Sequence, residues 1–277
     1  MLFAMLEQQL GFTEQQVRSF KDDFEGSMNR SIDLFLGRRP EYAELGKLCI
    51  AFLIGSCENP AIISNIETKN DWYYYLWNQL VDNHSWEEFR KCKLSIVTFN
   101  YDRSFEYFMH RAMMKTFGKS SEECADMLQS TIRIVHMYGS IGEPIYVSKN
   151  GRPYEQGFNA EGMRTAASHI RVIPEDRTPD DPLFGKARQW LRESEIIAFL
   201  GFGYDSVNIE RLGVRKLCAQ SKDRFLKEMY GTTLGLMGAE YSRAVILTGV
   251  DQVTWPCDSC FKSLDCLGLL RDCPVIR

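Results

Sequence analysis

The chain has 277 residues, 44% hydrophobic and 25% charged, an ordinary globular composition that excludes a disordered, collagenous or low-complexity polypeptide. Its 33 Lys and Arg against 37 Asp and Glu give a formal charge of -4 and a pI near 5.7, so direct nucleic-acid binding is not expected. The longest uncharged run is eleven residues, Met229 to Ala239, far below the ~20 apolar residues that cross a bilayer, and no membrane association is expected.

The start, MLFAMLEQQL, has no Lys or Arg and meets Glu7 early, unlike a secretory signal. Nine cysteines, an odd count with the first five spread through apolar segments, point to reduced thiols in a cytoplasmic protein. Thr13 with Gln16 forms a capping-box pattern ahead of an apolar stripe through Val17, Phe20 and Phe24. Leu45, Leu48, Cys49, Phe52 and Leu53 repeat helical spacing, ending near Gly55. Asp71 can cap a third helix, whose aromatic block Trp72 to Trp77 reads as packing or subunit contact rather than ligand stacking.

From Leu94 the pattern changes. Leu94–Phe99, Ile132–Tyr138, Ile170–Pro174, Ile196–Phe202 and Ala244–Val250 are short, nearly uncharged and rich in Val, Ile and Phe, as strands buried on both faces are. Helical stripes lie between them, at Phe105, Met109, Ala112 and Met113 and again at Ala187, Trp190 and Leu191. Alternation of this kind predicts an α/β fold with a mostly parallel, doubly wound sheet. The expected organisation is a helical subdomain over 1–93 and a Rossmann-like core over 94–277. The polar stretches 146–160, with a turn at Asn150–Gly151, and 175–182 read as loops.

Ligands of such sheets bind beyond the carboxyl ends of the strands. Three strand ends carry suitable residues. Asn100 follows the first strand and Asp102 is placed to cap the next helix, where the same residues could equally serve only local backbone groups. His136 and Tyr138 are two apart, on one strand face, and a histidine there could act as a base or simply be half-buried. Gly201-Phe202-Gly203 leads into Asp205 or Ser206 as a helix cap, but G-x-G alone is a weak signal. Cys257, Cys260, Cys266 and Cys273 lack the short second spacing of a zinc site, so no metal is expected.

Taken together, TFNYDRSFE, HMYGS and FLGFGYDSVN resemble the bacterial, defence-associated sirtuin-like NAD-hydrolase family over roughly residues 28–250. The resemblance implies a Rossmann-like fold with a helical subdomain and NAD as the substrate, cleaved between nicotinamide and ribose. It implies antiphage defence by NAD depletion and a nucleotide as the small-molecule partner, while the aromatic helix of the helical lobe is the expected contact of a homo-oligomer. It assigns catalysis to Asn100, Asp102, His136 and Tyr138. It assigns nucleotide binding to Thr98, Gly139, Ser140, Gly201, Phe202, Gly203, Asp205 and Asn208.

Two features depart from the family pattern. Tyr138 stands directly before Gly139 where many members have the catalytic histidine. The family's opening G-A-G-x-S loop does not occur, and LIGSC at 53–57, the nearest sequence, has helical spacing. The expectation is a chain lacking the first strand-loop, which binds NAD weakly. An inert NAD- or ADP-ribose-binding or oligomerising module of the same fold is the alternative. No C-x-x-C pair lies between Asp102 and Gly201, so the zinc module of protein-deacylating sirtuins is not expected.

Overall fold

The computed structural model describes residues 2–29, 31–63, 65, 71–82, 84–172, 181–220, 228–250 and 261–276. In chain order it contains α1 (Leu2–Gln8), α2 (Glu14–Gly26), α3 (Ile32–Arg38), a 3-10 turn (Pro40–Tyr42), α4 (Ala43–Cys57), α5 (Pro60–Ile63), α6 (Trp72–Val81) and α7 (Trp86–Phe89). Then follow β1 (Leu94–Thr98), α8 (Ser104–Phe117), α9 (Ser121–Thr131), β2 (Ile132–His136), α10 (Ala160–His169), α11 (Pro182–Glu193) and β3 (Ile196–Phe199). The chain closes with α12 (Ser206–Leu212), α13 (Val214–Gln220), β4 (Glu228–Thr232), α14 (Gly238–Thr248), β5 (Phe261–Lys262) and α15 (Cys266–Asp272). The protein is thus mixed helix and sheet, with short sheets, and no helix among the described residues is long and apolar enough to cross a membrane.

Two compact units divide the chain. The first comprises residues 1–66 and 96–178, the second 67–95 and 179–277. In the first, the Thr13 hydroxyl accepts from Gln16 N while the Gln16 side chain returns to Thr13 N, so α2 starts where the sequence predicts. Phe20, Phe24, Phe35 and Tyr42 then pack ring to ring at 5.3 to 6.3 Å. α4 packs against α10, and α9 against both α8 and β2. β1 and β2 form a two-stranded sheet whose connection runs through α8 and α9. LIGSC lies inside α4, as its spacing predicts.

The second unit holds a three-stranded sheet in the order β3-β4-β5, with both pairings parallel. The Asp71 carboxylate accepts from Tyr74 N and caps α6, which packs on α15 with Leu76, Trp77 and Leu80 buried. The middle strand β4 has no strong sequence signature. Its Gly231 is required by packing, because a Cβ there would run into the Tyr204 hydroxyl and the Phe261 ring.

Two expected strands differ. Ala244–Val250 lies largely within α14: Ala244 and Thr248, four apart, are its buried residues, and Gly249 at φ 74° closes the helix with a left-handed cap. Residues 170–172 are not a strand; Ile170 and Val172 are buried, and Arg171 N donates to the Tyr138 carbonyl at 2.9 Å. Residues 173–174, the 175–182 loop up to residue 180, and Cys257 and Cys260 lie outside the described residues. Free thiols among the described residues range from exposed Cys57 to buried Cys124 and Cys273, and no group of metal-ligating side chains occurs among the described residues.

Candidate functional site

Successive hydrogen bonds tie the end of β1 to the end of β2 in the first unit. Met137 N donates to the Thr98 carbonyl at 2.9 Å, and Ile141 N to the Tyr101 carbonyl at 3.0 Å. Between them, His136 Nδ1 lies 2.8 Å from the Asn100 carbonyl oxygen. The Thr98 hydroxyl accepts from Asn100 N at 3.1 Å, so the Asn100 main chain is held on both sides while the residue itself is exposed. Thr98, Asn100, Asp102, His136, Tyr138, Gly139 and Ser140, expected together from the sequence, therefore cluster at one end of this sheet.

His136 is engaged at both nitrogens. Its Nε2 lies 2.6 Å from Glu106 Oε1, and the two side chains are only 14% and 13% exposed. Burial alone would lower the His136 pKa; the Glu106 carboxylate, the Asn100 carbonyl and Asp102 outweigh it, and the net shift is upward. Tyr138 is buried, its ring 5.8 Å from Phe99. Gly139 has φ 78°, and a Cβ there would collide with the His169 carbonyl oxygen, so only glycine fits this turn. The Ser140 hydroxyl donates to the Gly142 carbonyl at 3.2 Å.

Asp102 does not cap α8 from the N-cap position, which Arg103 occupies; its carboxylate instead accepts from Ser104 N at 3.0 Å. It borders a concavity of about 390 Å3, together with Leu53, Ile54, Cys57, Glu58, Ser104 and Tyr154. Tyr154 stacks on Tyr107 at 4.2 Å and its hydroxyl lies 3.1 Å from Ser104 Oγ.

Behind this surface lies a clamp that sequence reasoning missed. Arg103, 1% exposed, donates Nε to Glu58 Oε1 at 2.9 Å and Nη2 to Oε2 at 2.7 Å. It donates further to the carbonyls of Glu143, Arg152 and Pro153 at 3.2, 2.9 and 3.1 Å. Arg152 also bonds Glu58, its guanidinium stacked 4.2 Å from the Phe158 ring. Arg103 and Glu106 both stand in TFNYDRSFE, and their charge next to a buried apolar stripe was the available signal.

The third expected element lies in the second unit. Gly201, at φ 60°, donates its N–H to Thr232 Oγ1 at 2.8 Å. Phe202 packs on Phe199 and Tyr204, and Gly203 is exposed. Tyr204 takes a left-handed φ of 49°, with its hydroxyl buried against the Thr232 carbonyl at 3.0 Å. The Asp205 carboxylate caps α12 by accepting from Val207 N and Asn208 N, as predicted, and Asn208 is buried. Comparison with protein-family models, curated proteins and solved structures gave no match.

Proposed function

We propose that this chain is an NAD-consuming hydrolase of the sirtuin-like class with a Rossmann-like, doubly wound fold, which cleaves the nicotinamide–ribose bond to give nicotinamide and ADP-ribose. The observation that supports this reading is the exposed Asn100, held by its own main chain at the sheet end and two residues from Asp102 on the rim of the concavity. Nicotinamide leaves as a neutral pyridine, so its departure needs no proton donor. The positive charge passes to the ribose carbon, and water then adds there and loses a proton. A carboxamide supplies both donors and an acceptor for a ribose hydroxyl and that water. The Asp102 carboxylate stabilises the cationic ribose and takes the water's proton.

His136, with both nitrogens already engaged, has a positioning role in this reading, and the buried Tyr138 supports the Gly139 turn. Gly201, Phe202, Gly203, Asp205 and Asn208 are assigned to the dinucleotide by the resemblance alone, as is the role in antiphage defence through NAD depletion. The test is nicotinamide release from NAD by the whole chain, with Asn100→Ala and Asp102→Asn beside it. Each substitution should lower the rate on the order of 100-fold or more. A parent rate that Asn100→Ala leaves untouched would reject the assignment.

A second reading, an inert module that binds NAD or ADP-ribose, is favoured by the same engaged His136, whose two ring nitrogens both face protein oxygens rather than a substrate. Calorimetric titration with NAD and with ADP-ribose separates the two: heat of binding without nicotinamide release supports the module.

A further inference from the structure

Glu106 makes a short polar contact at this sheet end, 2.6 Å to the His136 ring, and takes no part in the proposed hydrolysis. We infer that Glu106 is a positioning residue of the site: through the His136 ring it fixes the Asn100 main chain, and with it the direction in which the Asn100 carboxamide faces. The inference rests on the reading of Asn100 as the substrate-facing group.

The geometry carries it. His136 points Nδ1 at the Asn100 carbonyl oxygen, 2.8 Å away, and Nε2 at Glu106 Oε1, 2.6 Å away. Both partners accept when Glu106 is ionised, and a neutral imidazole carries a single N–H. Both bonds are donated together only by a doubly protonated ring, and the Glu106 carboxylate supplies its counter-charge in a largely buried setting. A neutral ring has to give up one partner, and the bond to the neutral Asn100 carbonyl is the weaker of the two.

The surrounding groups keep that arrangement in place. Glu106 lies in the first turn of α8, where the helix N-terminus favours an anion. Asp102, in the turn preceding α8, adds a second negative charge towards His136. On the far side Tyr146 and Arg103 lie within electrostatic reach of Glu106, Arg103 being already saturated by Glu58 and three carbonyls. The Tyr146 hydroxyl is buried and makes no hydrogen bond among the described residues, so it does not occupy the carboxylate.

The experiment compares the parent with Glu106→Gln and Glu106→Asp in the whole chain. The His136 ring is titrated by NMR, and nicotinamide release from NAD is followed across the pH range. In the parent, the Asn100 amide signal should follow the His136 titration. In Glu106→Gln the ring should titrate at lower pH and the alkaline limb of the rate profile should move with it. Its kcat should fall on the order of 100-fold with KM little changed, as for a misplaced reacting group. Glu106→Asp, which keeps the charge, should restore part of each effect, whereas a merely structural role would lower thermal stability and leave the limb in place. An unchanged His136 titration in Glu106→Gln, or an Asn100 signal that ignores it, overturns the inference. If the parent releases no nicotinamide, the NAD reading fails while the two NMR titrations still decide the positioning role.

Discussion

Arg103→Met keeps the aliphatic length of the side chain and removes only the guanidinium. Five hydrogen bonds then disappear: two to Glu58 and one to each of the Glu143, Arg152 and Pro153 carbonyls. Glu58 is 2% exposed and keeps Arg152 on Oε2, but its Oε1 loses its partner in a place water does not reach. Breaking a buried pair from one side costs about 3–5 kcal/mol. The orphaned acceptors support that size, since each buried unsatisfied group costs about 1–3 kcal/mol and the loop carbonyls can partly rehydrate. The first unit has about 150 residues, for which 1 kcal/mol moves Tm by roughly 2–4 °C, so a fall of about 6–20 °C is expected. Thermal unfolding by circular dichroism of the parent, Arg103→Met, Glu58→Gln and the double variant is the measurement. Because both single changes destroy the same pair, the double variant should be less destabilised than their sum by about 1–3 kcal/mol. A loss below about 1 kcal/mol for Arg103→Met, or strict additivity, would refute the clamp.

Gly139→Ala combines a positive φ with a collision against the His169 carbonyl, and urea unfolding should show a loss of about 2 kcal/mol or more. Asp33 accepts from the Tyr101 hydroxyl at 2.6 Å, and burial raises its pKa more than that bond lowers it. The folded state therefore holds this proton more tightly than the unfolded one. Its contribution is full below the ordinary Asp value and is lost as pH rises through the raised one. Asp33→Asn should remove that fall in stability across mildly acidic pH while keeping an acceptor for Tyr101; an unchanged pH profile would contradict it. Thr232→Val strips the acceptor from Gly201 N and the donor to Phe199 O, a loss of about 1–2 kcal/mol, with hydrogen exchange quickening at Gly201.

What the sequence makes legible is local. Thr13, Asp71 and Asp205 cap helices through bonds to residues two or three places on, so their roles follow from spacing. β1, β2 and β3 stand out because short apolar runs there end in polar or glycine-bearing turns. The Ala244–Val250 run has the same composition, yet it is helical because Gly249 and the Ala244–Thr248 spacing punctuate it differently. β4 hides because Glu228 and Gly231 dilute it, and its place is set by rings from Tyr204 and Phe261, 27 or more residues away. Asn100, Asp102 and His136 were visible as residue types at strand ends. The Glu58–Arg103 pair was not, since 45 residues separate its members and no local pattern announces that they meet.

The Arg103 clamp also governs when this surface can exist during folding. Its partners lie 40 to 50 residues away in both directions along the chain, at the C-cap of α4 on one side and in the 143–153 loop on the other. Closing a loop of that length costs about 3 kcal/mol in chain entropy before the contacts return anything. Helices such as α2 and α8 need no such closure and form earlier. The clamp is thus expected to close late on the folding route, and Arg103→Met should leave the refolding rate nearly unchanged in stopped-flow measurements. Its strength acts mainly on the unfolding rate, making it a latch on the lifetime of the folded unit rather than a guide to reaching it.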